Sequence, residues 1–144
     1  MSDGWTEIKT TWTDQTAYIS QNEAGGTVQM GKLDGKPGIG PMQLLLSALS
    51  GCTAMDVVSI LQKKHRNLVD LQVKVRGKRA KEFPMIWTDI HVEYLIWSDD
   101  ITSKEAEQAI KLSAEKYCSV ELMLAKSAKI TSEFQILKPG QSAA

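Results

Sequence analysis

Pro41 opens the longest helical pattern in the chain, and that pattern narrows the folds available to it. Proline suits the first position of a helix, where its missing N–H would have no intrahelical partner. From Leu44 to Leu61 apolar residues recur at helical spacing: Leu45, Leu49, Cys52 and Met55 form one stripe, and Leu46, Val57 and Ile60 broaden it. A helix apolar around so much of its circumference is expected to be central and buried. Lys63, Lys64 and His65 close its last turn, where positive charge favours the negative end of the helix dipole. No continuous apolar run approaches the ~20 residues that span a bilayer, so a core helix is the expectation.

The flanking segments read as strands. Glu7–Trp12, Thr16–Ser20 and Thr27–Met30 are rich in Thr and aromatics, punctuated by Asp14-Gln15 and by Ala24-Gly25-Gly26, which predicts a three-stranded meander. Residues 31–40, with four glycines and a proline, read as a loop. After the helix, Leu71, Val73 and Val75 alternate with polar residues. Past a break near Phe83-Pro84, Ile86, Ile90, Val92, Tyr94 and Ile96 mostly share one face, with Asp89, His91 and Glu93 on the other. One apolar face at period two predicts a sheet packed on the helix. Thr102 followed by Ser103-Lys104-Glu105 predicts a capped second helix, Ser119 a cap for a short third one, and residues 128–137 a last strand. The tail from Lys138 is expected to fray. The order β-β-β-α-β-β-α-β is α+β, with the long helix on an antiparallel sheet, and residues 1–144 read as a single domain.

Composition limits function. Lys plus Arg and Asp plus Glu balance at 17 each, whereas a nucleic-acid protein needs a basic surplus to neutralise phosphates. The basic cluster from Lys63 to Lys81 reads as a solvated helix end and strand face, without an aromatic stacking platform. Met1–Trp5 has neither a basic n-region nor an apolar h-region, so no signal peptide is expected. The expected location is the cytosol, with neither nucleic acid nor membrane as a partner. There a cysteine pair is more often catalytic or redox-active than structural. A chain of this length buries roughly 68% of its unfolded surface and needs no disulfide to fold.

Cys52 and Cys118 are the only cysteines. Cys52, inside the apolar helix, could be a small buried hydrophobe. Cys118 falls where one helix ends and another begins, a position at which backbone N–H groups lower a thiol pKa. A separation of 66 positions does not reveal whether the sulfurs meet. Asp56, four residues after Cys52, shares its helical face. It reads either as an acid paired to a lysine or capping a partner element, or as a polar group lining a pocket with Cys52. A carboxylate so close raises a thiol pKa. His65 and His91 pair with neither cysteine in the pattern, so no Cys–His nucleophile, metal site or cofactor is expected. Trp5, Trp12, Trp87 and Trp97 read as packing residues.

The segment from Gly40 through Pro41, Leu44-Leu45-Leu46 and Gly51 to Cys52, with Tyr117-Cys118-Ser119 downstream, resembles the OsmC/Ohr family of osmotically inducible and organic-hydroperoxide-resistance proteins. The order of elements is similar across nearly the whole chain. The resemblance implies an interwoven homodimer with active sites at the subunit interface. It implies Cys52 as the peroxidatic thiolate, attacking an organic hydroperoxide or hydrogen peroxide to give a sulfenic acid. Cys118 would resolve that acid as a disulfide, which an external dithiol reduces. Peroxidatic members also carry an Arg in the N-terminal strands and a Glu after the proline. Here no arginine precedes Arg66, Met42 follows Pro41, Gln43 is neutral, and Lys9 or Lys32 offers only a point charge. The alternative is therefore a non-catalytic protein on the same fold, binding an apolar small molecule or sensing redox state.

Overall fold

A computed structural model describes residues 3–143. Met1 and Ser2, which belong to the segment read above as lacking leader features, and Ala144 at the tail's end lie outside them. The chain forms two compact units, residues 1–45 and 46–144.

In the first unit β1 (Ile8–Trp12), β2 (Tyr18–Asn22) and β3 (Thr27–Met30) form the expected antiparallel meander. Asp14 takes a positive φ in the first turn, and the side chain of Asn22 accepts the Gly26 N–H at 2.8 Å in the second. The stretch read as a loop holds a miniature hairpin, β4 (Lys32–Leu33) and β5 (Lys36–Pro37). Its turn is Asp34-Gly35, both at positive φ (50° and 79°), the dipeptide and backbone that two-residue hairpins favour. Gly31 is also at φ 79°, and a Cβ there would run into the carbonyl oxygen of Thr16. Trp5 and Trp12 are not packing residues within the chain, being 77% and 60% exposed.

α1 (Pro41–Lys63) carries the chain into the second unit. Its buried line is Leu49, Thr53, Val57 and Leu61, spaced four apart, and is narrower than expected: Met55 is 74% exposed. The rest of its apolar circumference has too little of this chain against it to bury it. Counted over an 18-residue window, with a mean hydropathy of 1.8, α1 is long and apolar enough to cross a membrane, contrary to the expectation from continuous runs. Core helices of soluble folds share that property, and the middle of α1 carries Asp56 and a hydrogen-bonded Thr53. The helix ends with His65 at φ 58°, the His65 N–H donating to Gln62 O and the Arg66 N–H to Leu61 O. This is a Schellman closure with histidine where glycine is usual.

β6 (Leu68–Arg79) and β7 (Trp87–Ser98) pair antiparallel, but β8 (Lys129–Leu137) joins the other edge of β7 in parallel, so the sheet is mixed. The helical crossover between β7 and β8 returns the chain to the start of β7, which a parallel pairing requires. Central in the order β6-β7-β8, β7 buries Ile90, Val92, Tyr94 and Ile96 on its helix-facing side. α2 (Ser103–Leu112) begins with the predicted cap: the Thr102 hydroxyl accepts the Glu105 N–H at 3.2 Å, and Glu105 accepts the Thr102 N–H at 3.1 Å. The tail does not fray at once, because Trp97 Nε1 donates to the carbonyl of Gln141 at 2.6 Å.

Thr102→Ala removes the hydroxyl half of this capping box and leaves the Thr102 backbone N–H to Glu105. The expected loss is about 1 kcal/mol of stability, read as a lower urea midpoint with an unchanged denaturant slope.

Candidate active site

The site grows from two local features of the second unit. On α1, Cys52 and Asp56 stand one turn apart on the same face, with Thr53 between them on the buried line. Across from them α2 does not stop at Leu112 but widens into a π turn, Ser113–Tyr117, closed by the Cys118 N–H donating to Ser113 O at 2.7 Å. Single π turns of this kind concentrate at functional sites. The widened turn leaves both ends of that hydrogen bond, Ser113 and Cys118, buried.

Cys118 then leaves the helical conformation and caps α3 (Ser119–Leu124), its sulfur accepting the Glu121 N–H at 3.3 Å. The cap is thus Cys118 and not Ser119. The two sulfurs and a carboxylate oxygen of Asp56 all lie within 4.8 Å of one another. Both cysteines are free thiols, Cys118 fully buried and Cys52 half-buried.

A chain of hydroxyls fixes Asp56. Ser113 donates to Asp56 Oδ2 at 2.9 Å, Ser113 and Thr53 share a hydrogen bond of 3.0 Å, and Thr53 and Tyr94 one of 2.7 Å. Each hydroxyl has a single proton. Since Ser113 spends its proton on the carboxylate, Thr53 must donate to Ser113, and Tyr94 to Thr53. The direction runs from β7 through α1 and the π turn back to α1. Among the described residues no salt bridge joins Asp56 to a lysine, and Lys64 donates to Gln108 Oε1 at 3.1 Å. Asp56 also lines a cavity of about 380 Å³, with Lys63, Lys64 and Tyr117 among its walls.

The electrostatics reverse one expectation. Cys118, predicted to be acidified by its helix terminus, is pushed up to about 12, chiefly by burial and then by its hydrogen bond with Cys52; the Glu121 N–H acts in the opposite direction but loses. The charges of Cys52 and Glu121 add to the rise. Glu121 is itself buried and its carboxyl is raised by that burial. Tyr94 also rises to about 12, by burial above all, against the Thr53 hydrogen bond. Lys9 on β1 and Lys32 on β4 are exposed in the first unit. Thr53, Ser113, Tyr94 and Glu121 were not singled out as site residues in the sequence. A threonine on the buried line of an apolar helix was the available signal.

Residues 33–133 match the family model described as OsmC-like protein, a span that holds both cysteines and the whole hydroxyl chain. The chain belongs to the OsmC-like family. Protein YhfA of Escherichia coli K12 is 34% identical over 131 residues, covering 91% of this chain and 98% of its own. A hypothetical protein from Aquifex aeolicus has a crystal structure similar at a TM-score of 0.78 and 32% identity, over 92% of this chain and 98% of that one. An organic hydroperoxide resistance protein OsmC from Legionella pneumophila shares the fold at a TM-score of 0.68 and 11% identity, over 94% and 99%. The OsmC-like fold read from the order of elements is thereby established, with a mixed sheet in place of an all-antiparallel one.

Two outcomes are expected from this geometry. Thr53→Val keeps shape but removes the central hydroxyl, leaving Tyr94 and Ser113 each short of a partner; a loss of about 1–3 kcal/mol is expected in chemical denaturation. Separately, the fold prefers the neutral forms of Cys118 and Tyr94. The stability this gives is whole below their unfolded pKa values and is lost as pH rises toward about 12. The melting temperature should fall above pH ~9, and less steeply in Cys118→Ala.

Proposed function

We propose that the chain is a thiol-dependent peroxidase acting on organic hydroperoxides or hydrogen peroxide. The thiolate of Cys52 attacks one peroxide oxygen, the O–O bond breaks, and the leaving oxygen takes a proton to depart as an alcohol or water. Cys52 is left as a sulfenic acid. The Cys118 thiol attacks that sulfur, water leaves, and a disulfide forms; an external dithiol returns both thiols to the reduced state.

The observation that carries this reading is the meeting of the two sulfurs, with unequal access. Cys52 is half-buried and can meet a substrate, whereas Cys118 is fully buried beside it. A buried thiol held up at about 12 is a poor first nucleophile and a suitable second one, since it reacts only after Cys52 has been oxidised. The relative from Legionella pneumophila, by its description, serves organic hydroperoxide resistance. The working unit in this reading is a cytosolic homodimer, with residues 1–144 of each copy acting as one domain. Exposed apolar side chains in each unit, Ile8, Trp12 and Tyr18 in the first and Met55 in the second, support a second copy as their cover.

A specific observation favours a second reading, a non-catalytic binding or redox-sensing protein. Burial, Cys52 and the Glu121 carboxylate together outweigh the Glu121 N–H and oppose ionisation of the Cys118 thiol, and the family's Arg–Glu pair is missing. The two readings part on turnover. With a dithiol reductant, the wild type is expected to consume an organic hydroperoxide through many cycles, and Cys52→Ser to lose at least 100-fold in rate, a factor on the scale of removing a nucleophile. Cys118→Ser should accumulate sulfenic and then sulfinic acid at Cys52, visible by mass. Equal rates for wild type and Cys52→Ser would refute the peroxidase.

A further inference from the structure

We propose that Cys52, Asp56 and Cys118 together form a binding site for a thiophilic divalent cation of the zinc class. Three donor atoms from two different elements lie within 4.8 Å of one another. Zinc at ~2.3 Å from sulfur and ~2.0–2.2 Å from carboxylate oxygen sets tetrahedral donors about 3.5–3.8 Å apart. Closing the triangle therefore takes side-chain adjustments of at most about 1 Å.

The placement is that of a chelate. Cys52 and Asp56, one turn apart on α1, present two donors on one face, and Cys118 supplies the third from the junction after the π turn. Asp56 is already oriented: Ser113 holds Oδ2 at 2.9 Å, and Thr53 and Tyr94 hold Ser113. Metal-ligating carboxylates are held by outer partners in this way. Of the three donors, Asp56 alone lines the neighbouring cavity of about 380 Å³, whose walls include Lys63 and Lys64, and Cys52 is the half-buried thiol through which a cation can enter. Three protein ligands with one open position is the pattern of a reactive zinc site rather than a closed structural one.

Charge argues in the same direction. Around the thiols stand Asp56 and the buried Glu121, and no salt bridge among the described residues neutralises either. A divalent cation would turn this mutual opposition into coordination, because a coordinating thiol is deprotonated outright. Two thiolates and a carboxylate select zinc-like cations over magnesium or calcium, which want oxygen donors only. Histidine plays no part: His65 ends α1, and His91 binds Thr131 and Glu133 on the far face of the sheet.

The inference rests on the juxtaposed donors and not on the peroxidase reading, although both use the same thiols. Oxidation to the disulfide removes two of the three ligands, so metal and peroxide compete.

The test is titration of the reduced full-length protein with Co²⁺ under argon. Expected is one Co²⁺ per chain, a near-ultraviolet thiolate-to-cobalt charge-transfer band, visible bands of tetrahedral intensity, and loss of all of them on adding Zn²⁺. Cys52→Ser and Cys118→Ser should each lower Co²⁺ affinity at least 100-fold, and Asp56→Asn and Ser113→Ala about 10–100-fold, with folding checked by circular dichroism. Absence of the charge-transfer band at saturating Co²⁺ overturns the proposal, as does wild-type affinity in Cys52→Ser or Asp56→Asn. If Asp56→Asn does not fold, the two cysteine variants decide. Hydroperoxide turnover of metal-free protein is measured alongside. Cobalt binding without turnover refutes the peroxidase alone, and turnover without cobalt binding refutes the metal site alone.

Discussion

One buried threonine hydroxyl joins the parts on which the site depends. Thr53 lies on the line Leu49, Thr53, Val57, Leu61 that packs α1, and it alone on that line is polar. Placing it there carries a desolvation penalty unless its oxygen is satisfied on both sides. Tyr94 from β7 and Ser113 from the π turn meet that need. The same bonds tie three elements together and set the carboxylate of Asp56 beside the sulfurs. Packing and chemistry share these atoms, so neither can change without the other.

The thiol pair combines proximity with electrostatic opposition. Proximity comes from backbone geometry: the π turn buries Cys118 and ends the helix there, so that its sulfur can cap α3. Opposition comes from burial, from the other thiol and from the Glu121 carboxylate, which together hold Cys118 neutral. An arginine near Cys52 would reverse that balance in the usual family arrangement. No arginine precedes Arg66 in this chain, and the residue after Pro41 is Met42, so the family's Arg–Glu pair is missing here.

Much of the fold was legible because its signals are local. The alternation of Ile90, Val92, Tyr94 and Ile96, the proline at the start of α1 and the Thr102 capping box each act over a few residues, and each is found where the pattern put it. The β4–β5 hairpin was also local, in the Asp34-Gly35 turn, but was hidden in a glycine-rich stretch. The parallel pairing of β8 was not legible, because it depends on where a long helical crossover returns the chain.

For the site, the residues themselves fix which groups are available, two thiols and an acid one turn from the first, with no arginine before Arg66. The resemblance carried by the segment from Gly40 to Cys52 also named the family. Only the tertiary structure decided that positions 52, 56 and 118 meet within 4.8 Å, and that Cys118 is a buried, high-pKa thiol rather than an acidified one. The reason is physical. A pKa and a donor set are properties of surroundings, and the surroundings of Cys118 come from α1 and from α3, two elements that are distant in the chain and that packing alone brings together.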